Sequence, residues 1–473
     1  MKKSPFIILS SVLVLLCSCS DVEIAALKDD ILISNVTIVD AKQGLIEGVD
    51  VAITDGLIIR VSSSETPSSP SLEFNESAQV IDGKGKYLIP GLWDMHVHLT
   101  YDKRFTDTMP EAFLSWGITS VRDTGGMLQD LLPIIKRLRE PGVFSPRVYF
   151  SGPLLDGEHV VYDGVSRPLI GTRNSDEEQA RGNVRILKAS GADFIKIYEM
   201  VTPEVFKAIV NEAVKLSMPI ASHVPLNMLA SKVGDQVGTM EHLRNIELDC
   251  ASNAEDLLHV RRAKLASKDI KSGYLLRASL HKLQRLTAVS ELDEKRCAMV
   301  LSRLTHTIQV PTLRLNALSL APPFEQIGWA NALAATPLAV QNDWGRPNQT
   351  IPQKSNERDL RFSNYSLSMV KRMVDAGVPI GAGTDTPIGL AIPGFSLHRE
   401  LEMLVLAGLT PLQAIEAATI RPTEFFGIED QLGTIEEGKW ADLVLLSANP
   451  LTDIRNTRQI DSVISKGILV QRF

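Results

Sequence analysis

The alternation of apolar and polar positions divides the chain into three stretches. Ile31 to Val39 (ILISNVTIV) and Val49 to Ile53 alternate with a period of two, which predicts strands. Asp55-Gly56 is a hairpin signal leading into Leu57 to Val61. Ser62 to Ser71 reads as a solvated loop, and Val80-Ile81, Asp82-Gly83 and Lys86 to Ile89 continue the β pattern. From Trp93 onward the pattern becomes short strand, then helix, repeatedly. Strands are predicted at Ser120-Val121, Arg147 to Phe150, Asp193 to Tyr198, Ile220 to His223, Thr239 to His242, Ile308 to Pro311 and Pro379 to Thr384. Ser175-Asp176-Glu177-Glu178 opens a helix as a capping box, and that helix should stop near Gly191. Thr202-Pro203 supplies an N-cap followed by Pro at N1, and Val205, Ile209, Val210 and Val214 then form one helical stripe. Leu397 to Leu409 is helical, Thr410-Pro411-Leu412-Gln413 is another capped start, and Leu432 to Val470 returns to β character.

Strand–helix alternation over roughly 300 residues implies an α/β fold with a parallel sheet, most simply a closed (β/α)8 TIM-like barrel. The terminal β segments are each too small for a stable core, so they are expected to pair into one composite β-sandwich. The expected domains are therefore 25–88 and 429–473 for the two parts of the sandwich and 89–428 for the barrel. Two stretches interrupt the barrel pattern. Ala254 to Arg303 is rich in charge and reads as helical, and Ala321 to Asn364 carries Pro, Gln and Asn with Trp329 and Trp344. Long connections of this kind are often lids or binding loops.

The first residues belong to targeting, not to the fold. Met1-Lys2-Lys3 is positive, and Phe6 to Leu16 is apolar but too short to span a bilayer comfortably. Leu16-Cys17-Ser18-Cys19 resembles a bacterial lipoprotein cleavage box, and the small Ser18 makes Cys19 the better fit. Residues 1–19 are thus expected to be a signal peptide with its lipobox. The expected address is exported, periplasmic or cell envelope, with membrane contact only through a lipid on Cys19. Cys250 and Cys297 remain, and whether they pair is open at this point. A net charge of −7 argues against nucleic-acid binding, and the 44% apolar and 22% charged content is that of an ordinary globular protein.

The chemistry centres on Tyr87 to Thr100 (YLIPGLWDMHVHLT). In a strand, residues i and i+2 share a face, so His96 and His98 point the same way. With 9 histidines in 473 residues, chance alone gives about 0.2 such pairs, so the pair gains meaning only if further ligands follow. They do follow. In a β/α barrel the active groups sit at the C-terminal strand ends. There the pattern puts His96 and His98 after strand one, Lys196 on strand four, His223 on five, His242 on six and Asp385 on eight. These are metal-ligand types, with Lys196 the odd member because an ammonium has no lone pair. A carbamate formed from Lys196 and CO₂ would solve this, since its two oxygens can bridge two metals. With Asp385 and a bridging hydroxide it would leave two dications one net positive charge instead of two.

At this point the chain resembles the amidohydrolase superfamily. PGLWDMHVH, GITSVRDTGG, ADFIKIYE, IASHVP, TMEHL, GAGTD and GTIEEGKWADLVLL carry the resemblance, which covers essentially the whole mature chain. It implies one metal on His96, His98, Lys196 and Asp385 and a second on Lys196, His223 and His242. The nearest likeness is to binuclear, carboxylated-lysine members of prolidase and dipeptidase type. Those peptidases carry a Tyr-containing segment after the strand-five histidine, whereas this chain reads His223-Val224-Pro225-Leu226, which leaves substrate specificity open.

The expected reaction is hydrolysis of a C–N bond. The metal-bridging hydroxide attacks the carbonyl, and Asp385 relays the proton to the leaving nitrogen. Two divalent ions are expected, with Zn²⁺ the best match to histidine-rich ligation. The expected substrate is a small molecule, a dipeptide or N-acyl amino acid; the alternatives are a cyclic amide or ring deamination, or a lipid-anchored binding protein on an inactive barrel. Tyr198 shares a face with Lys196, Arg244 lies two beyond His242 and could bind a carboxylate, and His159 follows Gly152-Pro153-Leu154; these are the candidate substrate contacts. His398 is a candidate for supporting a metal ligand or capping a helix, His281 is read as structural, and Arg122-Asp123 as a buried pair under the barrel mouth.

Overall fold

The computed structural model describes residues 30–64, 78–267, 269–345 and 356–470. The expected signal segment and Cys19 lie outside the described residues. None of the described helices is long and apolar enough to cross a membrane.

The two ends of the chain form one eight-stranded sheet. Its strands are β1 (Ile31–Asp40), β2 (Gly44–Thr54), β3 (Leu57–Ser63), β4 (Gln79–Asp82) and β5 (Tyr87–Pro90) from the N-terminal side. The rest of the chain contributes β6 (Leu92–Val97), β7 (Ile118–Asp123), β8 (Arg147–Phe150), β9 (Leu154–Leu155), β10 (Gly171–Thr172), β11 (Ile195–Ile197), β12 (Ile220–Ser222), β13 (Thr239–Glu241) and β14 (Ile308–Val310). Last come β15 (Leu443–Leu446), β16 (Ile460–Ser465) and β17 (Ile468–Val470). The terminal sheet runs β17-β16-β15-β5-β1-β2-β3, with β4 also on β1. The seam between the two ends is antiparallel, Val444 opposite Ile89 and Leu445 opposite Leu88.

The β2–β3 hairpin turns at Asp55 and Gly56, both at positive φ (54° and 79°), the backbone that a two-residue turn of this kind needs. The strand β3 returns toward the seam through a bridge between Leu57 and Trp440. The sheet therefore curls over its own core of Ile33, Ile38, Val51, Leu88, Leu443 and Ile464 as one continuous sheet, where the sequence suggested two stacked ones.

Between the ends the chain is parallel α/β. Strands β6-β7-β8 form one parallel sheet, and β10-β9-β11-β12-β13-β14 form another. The short inner strands are buried throughout, as befits a sheet covered on both faces. Residues 379–386 join the two sheets. Gln309 and Pro379 share a 2.8 Å backbone hydrogen bond on the β14 side, and Met95 donates to Ala382 at 2.9 Å on the β6 side. On the opposite side the Asp193 N–H donates to the Phe150 carbonyl at 2.9 Å.

Helices start where the sequence caps them. The first of them starts one residue later than the Ser175–Glu178 capping box predicted: Asp176 is the cap and accepts from Gln179 N–H, while Ser175 donates to the Gln179 side chain. Thr202 accepts from Val205 N–H with Pro203 in the first turn, and Thr410 with Gln413 completes a capping box.

The charged stretch between β13 and β14 is an ordered helical insertion. It contains the helices Ala254–Leu265, Gly273–Ser290 and Glu294–Ser302. Its base is pinched by a Cys250–Cys297 disulfide and a bridge between Ala251 and Leu292. Inside it, Arg261 donates to Gln284 at 2.6 Å and to Asn245 at 2.7 Å. Of the second interruption the described part holds the helices Trp329–Ala334 and Leu338–Trp344 and the start of Glu357–Asp375.

Candidate metal centre

The histidine pair sits at the C-terminal end of β6. This strand follows β5 after Gly91, where a Cβ would lie 2.1 Å from the Thr119 hydroxyl, so only glycine permits the approach. Residues 379–386 run beside it, and a Cβ on Gly383 would come within 2.8 Å of the His96 Cβ. That close approach brings Asp385 beside the pair. Asp385 N–H donates to the His96 carbonyl at 2.7 Å, and its Oδ1 lies 3.3 Å from His96 Nε2 and 3.2 Å from His98 Nε2. His96, His98 and Asp385 are all buried and their ligand atoms lie within 4.8 Å of one another, a cluster able to hold a metal ion.

Each ring is oriented from behind. His96 Nδ1 meets Glu241 Oε2 at 2.7 Å, His98 Nδ1 donates to the Gly125 carbonyl at 3.0 Å, and His242 Nδ1 meets Thr312 Oγ1 at 2.5 Å. Such contacts fix the ring so that Nε2 faces inward. The ring centroids of His96 and His242 are 4.5 Å apart, and those of His223 and His242 are 4.9 Å apart.

Lys196 and His223 are placed differently. The Lys196 ammonium is fully buried, 3.4 Å from Glu241 Oε1 but with no hydrogen-bond partner. Neither ring nitrogen of His223 has a hydrogen-bond partner. Glu241 also accepts from Arg122 at 2.8 Å and from the Thr239 hydroxyl at 2.8 Å.

Burial sets the protonation states, with charge opposing it. Burial pushes Lys196 down to about 8 against the pull of Glu241. It also drives His223 and His242 well below the usual histidine range. Burial would raise Asp385, but the charge of His242 and the hydrogen bonds from His96 and His98 hold it well below the ordinary carboxylate range.

His96, His98, Lys196, His223, His242 and Asp385 all line one cavity of about 90 Å³, together with Tyr198 and Arg244. His159 is half-buried and does not line it. His398 lies elsewhere, between the Trp116 carbonyl and the Thr457 hydroxyl, where it ties a helix to the C-terminal segment. Arg122 and Asp123 are both buried but do not pair. Arg122 goes to Glu241, and Asp123 accepts from Leu99 and Gly125 N–H. The adjacent residues of a strand face opposite sides, which is why a sequential ion pair there fails.

The sequence reading passed over several residues at the site. Glu241 stands beside His242 in TMEH, so its position was visible even though its role was not. Glu199 likewise closes the ADFIKIYE stretch without its role being visible, while Thr312 and Tyr162 carry no pattern. Arg277 and His281 come from the inserted helix, and Glu199 accepts from both, at 2.7 and 2.6 Å.

Comparison with known proteins gives a consistent family. The profile described as "Amidohydrolase family" matches residues 87–470. An ochratoxinase from Aspergillus niger is 23% identical over 457 residues, covering 85% of this chain and 78% of that protein. A dihydroorotase from Pelotomaculum thermopropionicum is 24% identical over 429 residues, covering 88% of each. A solved Xaa-Pro dipeptidase with methionine bound in its active site superposes with a TM-score of 0.65 at 18% identity, covering 94% of this chain and all of that one (100%). At that identity the structural likeness bears on the fold alone: α/β of TIM-barrel type.

Proposed function

Because the chain belongs to the amidohydrolase family and so hydrolyses C–N bonds of amide or peptide-like type, we propose that its substrate is a dipeptide or an N-acyl amino acid. The observation that supports this reading is the convergence of six ligand-type side chains on one cavity. The two parallel sheets close, in this reading, into a single eight-stranded barrel spanning 89–428, flanked by the β unit of 25–88 and 429–473. The backbone hydrogen bonds of residues 379–386 to both sheets support the closure. The chain is read as exported and lipid-anchored at Cys19.

The donor set suits two divalent ions, because Lys196 and His223 present buried polar atoms that the protein leaves without hydrogen-bond partners. His96, His98, Lys196 and Asp385 would hold one ion, and Lys196, His223 and His242 the other, with Lys196 as a carbamate and zinc the best-matched metal. Such ions, when bound, supply an acidified water and polarise the scissile carbonyl. Glu241 and Gly125 hold the His96 and His98 rings in place. Asp385, ionised and within reach of the histidine pair, takes the proton of the attacking nucleophile and delivers it to the leaving nitrogen. Tyr198, on the same strand face as Lys196, contacts the substrate. The hydrophobic cluster of Leu154, Ile170 and Leu226 around Tyr198 excludes water from that side.

The small cavity also favours a second reading, a compact cyclic amide. One experiment addresses both. The protein is loaded with zinc, its metal content measured by mass spectrometry, and its turnover followed on dipeptides, N-acyl amino acids and ring amides. Two equivalents of metal and hydrolysis of a dipeptide or N-acyl amino acid are expected. Two equivalents with turnover of ring amides alone would establish the second reading. A protein that binds no metal and turns over none of the three would overturn both.

A further inference from the structure

Two arginines line the cavity, and they come from different parts of the chain. Arg244 lies just past β13, in a turn where His242, Leu243 and Asn245 all have positive φ (61°, 56° and 64°). Arg277 comes from the inserted helix Gly273–Ser290. Both line the cavity together with Lys196, His223 and Asp385.

The partners of these arginines are unequal. Arg277 gives one nitrogen to Glu199 at 2.7 Å, and its Nε is buried without a hydrogen-bond partner. Glu199 is held in turn by His281 Nε2 at 2.6 Å, while Arg285 approaches His281 Nδ1 at 3.3 Å. Arg277 is therefore fixed in place with a donor still in reserve. Arg244 makes no ion pair among the described residues, and its Nε is likewise buried without a partner. Arg285 is paired with Glu247 at 3.5 Å. Of the two guanidiniums that line the cavity, Arg277 is paired with Glu199, while Arg244 has no carboxylate partner among the described residues. A buried cation without a counter-charge is costly, and a ligand that brings the missing anion recovers that cost.

We propose that Arg277, carried into the site by the insertion, works with Arg244 to bind the carboxylate of the substrate, so that the insertion selects acyl compounds with a free carboxylate over their neutral amides. The proposal rests on the hydrolase reading above and extends it to the residues that determine specificity. A carboxylate fits because a guanidinium presents parallel N–H donors to a planar anion. The insertion is suited to the task because it is stiff. Its base is closed by the Cys250–Cys297 disulfide, and its two longer helices are tied by Arg261 and Gln284. The competing explanation is that Arg277 serves only as the counter-ion of Glu199, in which case its loss would weaken all substrates alike.

The test uses the zinc-loaded full chain and a matched pair, an N-acetyl amino acid and its C-terminal amide. The wild type is expected to favour the acid by about 100-fold in kcat/KM. Arg244→Met and Arg277→Met should each raise KM for the acid by a larger factor than for the amide and so erase most of that preference. Arg277→Lys keeps the charge but not the fork. It should restore only part of the preference, and it serves as the safer variant if Arg277→Met fails to fold with Glu199 unpaired. Calorimetric binding of a non-hydrolysable N-alkyl amino acid and its amide to the wild type and Arg277→Lys gives a readout independent of turnover. Absence of turnover on both substrates with the acid–amide difference in binding intact would count against the hydrolase reading and leave the carboxylate site standing. Equal binding or equal turnover of acid and amide by the wild type, or an equal loss on both in the variants, would overturn the proposal.

Discussion

The two halves of the candidate centre are built on different terms. In the His96, His98 and Asp385 half, both imidazoles have Nε2 within 3.3 Å of one carboxylate oxygen, and both Nδ1 atoms are engaged from behind. Protein atoms satisfy this half almost completely. In the Lys196 and His223 half, the ammonium and both ring nitrogens lack hydrogen-bond partners. A buried polar atom left unsatisfied costs about 1–3 kcal/mol. The first half is therefore organised by the fold itself, and the second depends on what binds there.

The sharpest way to break this contrast is at Asp385, which the proposed chemistry uses as proton carrier. Asp385→Asn keeps an oxygen ligand but cannot shuttle a proton, so kcat should fall by about 10²–10⁴ with metal content largely kept. Steady-state kinetics with metal analysis on the same sample decides it, and a variant retaining near-normal kcat would refute the role.

Lys196→Ala strikes the second half. It should lose activity and bind metal less well, and acetate or bicarbonate should restore part of the activity by filling the vacated space. Full activity with two equivalents of metal would rule out the carbamate bridge, and full activity with one would leave a mononuclear site on His96, His98, His223 and Asp385.

Glu241→Gln tests the support beneath both halves, since Glu241 faces His96, Arg122 and Lys196. Metal affinity should weaken by about 10–100-fold in a competition titration with a chelator. An unchanged affinity would mean that the His96 ring is held by packing alone. Tyr198→Phe should have the smallest effect, a rise in KM of roughly 5-fold, the size of one lost hydrogen bond. A fall in kcat with KM unchanged would move Tyr198 from substrate binding to the chemical step.

The difference between the halves also tracks what was legible in the sequence. His96 and His98 declared themselves by a strand period of two, and Lys196, His223, His242 and Asp385 by recurring at the ends of predicted strands. Helix starts at Thr202 and Thr410 were legible because capping is local chemistry. The hairpin at Asp55-Gly56 was legible for the same reason.

The supporting groups were not legible, because their roles arise from distant approach. Glu241 serves His96 across 145 positions, and Glu199 meets His281 across 82. Arg277 lies in a helix whose charged residues look like a solvated surface until the fold brings one end to the cavity. The eighth strand, expected over Pro379 to Thr384, exists only as isolated bridges, Gln309 to Ile380 and Val97 to Thr386. Its backbone leaves β14 and reaches β6 within a few residues, too briefly for a ladder.

One feature of the seam reaches further than stability. Strand β5 is paired to β15 and then, after one glycine, becomes β6, which carries the histidine pair. Gly91 itself donates to the Asp442 carbonyl at 2.7 Å, and the Asp442 side chain receives Arg147 and the Lys466 N–H. The last strands of the chain are thus the foundation on which the first metal ligands stand. A nascent chain released from the ribosome before residue 443 has its histidines, and β6 still has β7 beside it, but β5, which leads into them, lacks its partner on the β15 side. For this protein, a stop codon or a proteolytic nick near the C-terminus is an active-site lesion delivered from the far end of the gene.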